Sequence, residues 1–428
     1  MSETPLLRPS SAEAARFWLK LGFISFGGPA GQIAILHEEL VERRRWVDEA
    51  RFQHALNYCM LLPGPEAQQL ATYLGWLFHG WRGGVVAGTL FFLPAAVLLW
   101  ILSWIYVTYG QMAGMAAIFY GLKPAVVALV ASAMLRIGKR SLTGRLRWGL
   151  AVAALLLVAV AKVPFPFVVL GAGLIGWVVA RHRDRSGIRP KADGNPTGGG
   201  RGPVAAAIGT AAIWLAIWWI PLIALGAALG WDHTVARQGV FFSEASMVTF
   251  GGAYAVLPHV QAQAVGHFGW LTQAQFLDGL ALGETTPGPL VIMLQWVGFL
   301  GGWHKPGALS PLLAATLGSA ATTWATFAPS FLWIFTGAPF IERLRHRTDL
   351  NAALGAVTAA VVGVIATLAG QLALHVAKPV GAGVDRFACA LTVAAFAAMV
   401  WAKIRPIPCI LACGTIGAVW QLFVAPRL

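Results

Sequence analysis

The chain has 428 residues, of which 57% are hydrophobic and only 11% are Asp, Glu, Lys or Arg, and its mean hydropathy is +0.68. A soluble domain carries about 25% charged residues, so water is not the solvent for most of this chain. The net charge of +14 sits in short loops between apolar runs, which excludes a nucleic-acid-binding reading and fits the orientation signals of a polytopic membrane protein.

Taken in chain order, the first 17 residues contain no apolar core followed by a small-residue cleavage site, so the first apolar run is expected to stay in the mature protein. Runs near the ~20 residues that a bilayer crossing needs lie at 17–36, 53–78, 83–108 and 112–135, and two shorter ones at 148–162 and 164–180. Residues 181–203 are polar and rich in Gly, Pro and Arg, a composition that reads as a linker. Apolar runs resume at 204–230, 238–262, 276–302, 308–336, 351–377, 385–402 and 405–424, which makes thirteen segments. The expected organisation is an N-terminal membrane repeat over 1–180, a cytoplasmic linker over 181–203, an inverting transmembrane segment over 204–230 and a C-terminal membrane repeat over 231–428. Cys59, Cys389, Cys409 and Cys413 lie in or beside apolar runs without a CxxC pair and read as small hydrophobes, so no metal or disulfide framework is expected.

Two repeats emerge by subtraction. Phe26-Gly27-Gly28 recurs as Phe250-Gly251-Gly252, Trp46 as Trp270, Phe52 as Phe276, and Pro63-Gly64-Pro65 as Pro287-Gly288-Pro289, always at an offset of 224. Phe92-Leu93-Pro94 matches Phe327-Ala328-Pro329 at an offset of 235, which implies an insertion of 11 residues near 306–319. Seven segments separate the starts of the two repeats, and an odd number inverts the second copy in the membrane. The fold class expected is therefore an all-α polytopic membrane protein of two inverted-topology repeats, with helices broken at the Gly/Pro motifs.

Orientation follows from the basic loops. With the N-terminus in the cytoplasm, loops 136–147, 181–201, 343–347 and 403–405 fall inside. Arg43, Arg44, Arg45 and Arg51 would lie outside if 17–36 crossed completely, although Glu38, Glu39, Glu42, Asp48 and Glu49 dilute them. The conflict disappears if the segments holding Gly27-Gly28-Pro29 and Pro63-Gly64-Pro65 enter and return on one side. Thirteen crossings, and nine crossings with four re-entrant segments, both keep the halves inverted.

The strongest repeat motifs are also where a continuous helix is least favoured, because Pro63 and Pro65 remove two backbone donors within three residues. Irregular backbone at membrane depth is tolerated where protein or a watery cavity surrounds it. Half-helices starting there direct N–H groups and positive dipole ends at a ligand, which suits an anion. The expected substrate site comprises Gly27, Gly28, Pro29, Pro63, Gly64, Pro65, Gly251, Gly252, Pro287, Gly288 and Pro289, with Gln68, Gln69, Thr285 and Thr286 as hydrogen-bond donors. Ser25, Thr249 and Gln295 are further donors of the same kind. Lys123 is the expected countercharge, weighed against a structurally paired lysine. Glu66 and Glu284 flank the two Pro-Gly-Pro turns at non-equivalent positions, and the alternatives for them are protonation during turnover, pairing with Lys123, or capping of a half-helix. Lys20 and Glu244 occupy one repeat position with opposite charge and read as membrane-end residues, His259 reads as a locally satisfied histidine, and Arg43 to Arg45 as a solvated orientation signal.

FGGPAGQIA (26–34), LPGPEAQQLATYLGW (62–76), GLKPAVVAL (121–129), FGGAYAVLP (250–258) and LGETTPGPL (282–290) resemble the chromate ion transporter family in its long-chain, two-domain form. The resemblance covers nearly the whole chain and implies export of chromate from the bacterial cytoplasm across the inner membrane, giving resistance. Sulfate is the other oxyanion the resemblance implies. The expected protein is multi-pass, with no cofactor, and its partners are the oxyanion and the lipid bilayer; a duplicated chain can form a complete pathway alone, so a monomer is adequate and a homodimer is the alternative. Independently of resemblance, a dianion leaving through a 100 mV inside-negative potential gains about 4.6 kcal/mol, enough for roughly a thousandfold gradient without ATP. The sequence lacks a G-x-x-x-x-G-K-[ST] loop, an H-E-x-x-H helix and a G-x-S-x-G elbow, so a membrane enzyme acting on chromate is the distant rival and an anion channel the nearer one.

Overall fold

The computed structural model describes residues 9–26, 28–110, 112–184, 201–250, 252–337, 348–379 and 383–425, and among them the regular structure is entirely helical. The first half contains α1 (Ser11–Ile24), α2 (Gly28–His37), α3 (Glu49–Cys59), α4 (Glu66–Tyr109), α5 (Ala113–Ser141), α6 (Arg145–Ala159) and α7 (Phe165–Asp184). After α8 (Arg201–Leu229) come α9 (Thr234–Met247), α10 (Ala253–Gln261), α11 (Gln273–Thr285), α12 (Met293–His304), α13 (Pro311–Gly337), α14 (Thr348–Ala377), α15 (Arg386–Val400) and α16 (Pro406–Val419). Of the expected linker, residues 181–184 belong to α7 and residues 201–203 to α8; residues 185–200 lie outside the described residues.

Local geometry repeats with the sequence. A π-helical turn at Glu38–Arg43 recurs at Ala262–His267, again 224 residues on. The edge-to-face pair Phe17–Trp46, with ring centroids 5.3 Å apart, recurs as Phe241–Trp270 at 5.7 Å. The insertion inferred between the two offsets has a physical location: α4 passes through one kink at His79 and Gly80, whereas the corresponding stretch of the second half is opened into a loop between α12 and α13.

Four of the expected segments are not continuous helices. Runs 17–36 and 238–262 break between α1 and α2 and between α9 and α10; runs 53–78 and 276–302 break after α3 and after α11. The cause is backbone geometry. Gly28, Gly252, Gly64 and Gly288 have φ of +68°, +94°, +121° and +100°, a region closed to helix and inexpensive only for glycine. At about 1.5 Å rise per residue, the 14 residues of α1 reach well short of a ~30 Å hydrocarbon core. Six helices among the described residues are long and apolar enough to cross a membrane: α4, α5, α7, α8, α14 and Pro406–Val424.

The halves are interlocked. The α6–α7 hairpin of the first half packs on α14 of the second, and the α15–α16 hairpin of the second packs on α5 of the first. At the centre the Gly64 N–H donates to the Thr249 carbonyl at 2.8 Å, and the Gly288 N–H donates to the Ser25 carbonyl at 2.7 Å. Both donors and both acceptors are repeat-equivalent, so the contact is reciprocal, as across a two-fold axis. Phe92 also stacks on its own equivalent, Phe327, at 4.2 Å with planes 4° apart, which places that axis between them.

A Cβ at residue 288 would lie 2.5 Å from the Ala95 Cβ, whereas one at residue 64 meets first the far end of the Gln69 side chain at 2.9 Å. Gly288→Ala therefore adds overpacking of about 1–3 kcal/mol to the left-handed penalty of about 1–2 kcal/mol. In detergent, thermal unfolding followed by size-exclusion chromatography is expected to rank Gly288→Ala below Gly64→Ala, and Gly64→Ala below the parent.

Candidate functional site

A cavity of about 750 Å³ opens beside the broken helices and reaches Gly28, Pro29, Glu66, Gly252 and Tyr254 at its base. Helices α2 and α10 both begin there, α2 at the left-handed Gly28 and α10 directly after the left-handed Gly252, so two positive helix ends meet in one place. The far end of α5 adds Arg136 and Arg140 to the wall. Both side chains are exposed, and neither has a carboxylate within ion-pair distance among the described residues. Two exposed guanidinium groups without an ion pair among the described residues lie next to two helix N-termini, and guanidinium donors match the geometry of oxyanion oxygens; Arg136 also acts electrostatically on the buried Glu284.

Acidic groups sit at the rim and base. Glu38, Glu42 and Glu49 line the outer part. His37 contacts Glu42 at 3.3 Å and also Glu49. Glu49 is held below its ordinary carboxylate range by a hydrogen bond from Gln53 and then by His37. Arg43 is consumed by Glu38 at 2.7 Å and Glu39 at 3.0 Å, and Arg44 by Glu39 and Glu13 while it lies over the Phe17 and Trp46 rings. Glu66, the first residue of α4, has no hydrogen bond or ion pair among the described residues.

The expected site residues divide into groups. Gly28, Pro29, Glu66 and Gly252 share the cavity. Gly27 and Gly251 lie outside the described residues. The N–H groups of Gly64 and Gly288 face the other half and are used there, flanked by Pro63, Pro65, Pro287 and Pro289. Gln68 and Gln69 are fully buried; Gln69 Nε2 donates to the Pro63 carbonyl at 2.7 Å and Gln68 Nε2 to Thr72 Oγ1 at 3.3 Å, leaving both side-chain oxygens unpartnered. Thr285 and Thr286 donate to carbonyls of their own helix, at 3.0 Å and 3.2 Å. Gln295 donates to the Ala96 carbonyl at 2.7 Å, the Ser25 hydroxyl is buried without a partner, and Thr249 Oγ1 donates to the Ala245 carbonyl at 2.6 Å. Glu284 accepts a hydrogen bond from the Tyr254 hydroxyl.

Lys123 is absent from the lining of this cavity. It lies 3.6 Å from Asp278, whose other oxygen accepts from the Tyr106 hydroxyl at 2.8 Å, and it faces a separate cavity of about 480 Å³ shared with Tyr120 and His375. Lys20 lies 4.0 Å from Glu39, and its repeat partner Glu244 is exposed elsewhere. His259 is held between the Phe165 and Phe241 rings. No group of three or more potential metal ligands occurs among the described residues.

Arg136, Arg140, Tyr254 and Asp278 are the participants that sequence reasoning left out. Arg136 and Arg140 read as loop charges because the apolar run stops at 135, whereas α5 continues to Ser141 and carries both to the cavity. An Asp inside apolar run 276–302 was the available signal for Asp278.

Comparison with known proteins agrees with the duplication. The sequence profile of the chromate transporter family matches residues 12–177 and again 237–418. The chain belongs to the chromate transporter family. A chromate transport protein of Pseudomonas aeruginosa is 34% identical over 96% of this chain and 91% of its own length. A probable chromate transport protein of Synechococcus elongatus is 29% identical over 86% of each chain, and a chromate transport protein of Cupriavidus metallidurans is 28% identical over 82% of this chain and 79% of its own. No solved structure matches the chain. Family membership and the long apolar helices together make this a multi-pass membrane protein of a transporter family.

The Lys123–Asp278 pair supports an asymmetric expectation. The Asp278 side chain is 4% exposed and that of Lys123 26%. Lys123→Met strands a buried carboxylate, a loss of about 3–5 kcal/mol, whereas Asp278→Asn leaves an amine that can reach a polar boundary. A double-mutant cycle on detergent-extracted protein is expected to show Lys123→Met as the more damaging single change, with Asp278→Asn restoring much of its loss.

Proposed function

We propose that this chain is a secondary transporter exporting chromate from the bacterial cytoplasm through the inner membrane, with the N-terminus and the Arg136–Arg140 cavity on the cytoplasmic side. The observation that carries the reading is the meeting of two exposed arginines with the N-termini of α2 and α10 in one cavity. Arg136 and Arg140 collect the dianion by attraction at close range, and the base of the cavity offers it backbone N–H groups in place of water. The basic segment around 136–147 that sets this orientation is the same one that supplies the arginines. The two repeats are inverted in this reading, and α8 is the additional segment that inverts them.

The membrane potential drives the dianion outward, contributing about 2.3 kcal/mol per charge per 100 mV. Glu66 stands at the base beside the route. An ionised carboxylate there repels a dianion, so Glu66 is neutral when substrate is bound and provides the place where a proton can be coupled to transport. Sulfate is the second reading, because every group in the cavity addresses the oxygens of a tetrahedral dianion and none addresses its central atom. Transport in this mode gives the cell resistance to chromate.

The test is uptake of labelled chromate into everted membrane vesicles from cells producing the protein, with potential and pH gradient dissipated separately. Protein-dependent uptake that is lost with the potential is expected. A charge-assisted contact is worth about 1.5–3 kcal/mol, so Arg136→Gln is expected to lower kcat/KM by roughly 10- to 100-fold, and Arg136→Lys by less. Absence of protein-dependent uptake under every condition overturns the reading, and an excess of sulfate measures the competing substrate directly.

A further inference from the structure

The cavity described above has a repeat-equivalent counterpart. A second cavity, of about 560 Å³, is lined by Gln261, Gln273, Gln371, His375 and Lys378. At offset 224 Gln261 corresponds to His37 and Gln273 to Glu49; at offset 235 Gln371 corresponds to Arg136 and His375 to Arg140. Ala262 and Gly266 complete the match at the positions of Glu38 and Glu42. The same wall of helices therefore builds both cavities, α5 with the π-turn segment of the first half in one case and α14 with that of the second half in the other.

The two differ in which equivalent positions they reach. The first continues past Leu56, Met60, Ile137 and Glu66 to the helix breaks. The equivalent residues of the second half, Leu280, Glu284, Leu372 and Leu290, are 1%, 7%, 0% and 2% exposed, and none of them lines the second cavity. One contact of these buried residues has no repeat counterpart: the Tyr254 hydroxyl, whose ring lines the first cavity, donates to Glu284, and the corresponding residues are Ala30 and Met60. Sequence-equivalent positions thus line a cavity in one half and are buried in the other.

We propose that the second cavity is the other mouth of the same anion route, sealed in this conformation by Leu280, Leu290 and Leu372 and latched by the Tyr254–Glu284 hydrogen bond. This inference rests on the transporter reading above and specifies its exit. When the halves exchange conformations, the second half takes the open arrangement now seen in the first, and the latch separates. The chemistry of the two mouths is graded. Arg136 and Arg140 offer forked guanidinium donors to oxyanion oxygens at one mouth, whereas Gln371, His375 and the single ammonium of Lys378 furnish the other, where the dianion must be released.

The test uses thiol labelling from each face of sealed vesicles by a membrane-impermeant reagent, in protein whose four native cysteines are replaced by alanine. Leu56→Cys, Gln371→Cys and Leu280→Cys are compared with and without Tyr254→Phe. The expected result is labelling of Leu56→Cys and Gln371→Cys from opposite faces, with little labelling of Leu280→Cys. Tyr254→Phe is expected to raise Leu280→Cys labelling at least fivefold from the Gln371 face and to lower that of Leu56→Cys. Labelling of Gln371→Cys from the same face as Leu56→Cys overturns the proposal, and this comparison needs neither a buried substitution nor the latch variant. Unchanged Leu280→Cys labelling in correctly folded Tyr254→Phe protein also overturns it. Labelling requires no substrate, so a chain that fails to carry chromate yet labels as expected loses the substrate and keeps the second mouth. A chain that carries chromate but labels from one face loses the second mouth alone.

Discussion

Each Pro-Gly-Pro turn in this protein has a single backbone donor, the glycine N–H, and in both halves that donor is given to a carbonyl of the other half. Gly64 bonds Thr249 and Gly288 bonds Ser25, and each acceptor lies just past the end of a half-helix. A broken helix in an apolar environment leaves polar groups whose burial without partners costs several kcal/mol each. Here each half supplies what the other lacks. The breaks are therefore features of the assembled pair, and the site beside them can exist only where the halves meet.

The remaining architecture follows from that constraint. Exchange of the α6–α7 and α15–α16 hairpins locks each long helix, α14 or α5, against elements of the opposite half. With the central turns held by reciprocal bonds and Phe92 stacked on Phe327, α2 and α10 start at neighbouring points and direct their positive ends into one cavity. Arg136 and Arg140 arrive there because α5 outruns its own apolar stretch. A charge that reads as a topology signal thus also serves the ligand, and the two roles are compatible because both require the end of α5 to lie at a wet boundary.

Two-fold repetition in sequence has not produced two-fold identity in structure. The cavity of the first half holds two arginines and acidic residues, while its counterpart has Gln371, His375 and Lys378 and no carboxylate in its lining. Lys123 pairs with the buried Asp278, whose equivalents are Thr358 and His54, and Tyr254 bonds Glu284 where the other half has Ala30 and Met60. Titratable and hydrogen-bonding residues diverge at these positions, while Phe17 with Trp46 and Phe241 with Trp270 remain as matching core pairs. Packing is common to both halves; chemistry differs between them.

Much of the fold was legible because its signals are local. Apolar runs, left-handed glycines and prolines without donors act within a few residues, so the helices, the four breaks and the duplication could be read from residue types and offsets. The cavity residues Gly28, Pro29, Glu66 and Gly252 were found for the same reason, since each adjoins a break. Lys123 shows the limit: an isolated lysine in an apolar run announces that a partner is needed without saying which, and Asp278 lies 155 residues away. Arg136, Arg140 and Tyr254 acquire their roles only when α5 and α10 are placed around one cavity. Sequence alone determined where this chain breaks its helices and that it does so twice, because backbone geometry is a property of neighbouring residues. Only the tertiary structure decided which charges face those breaks, because that depends on contacts between segments far apart along the chain.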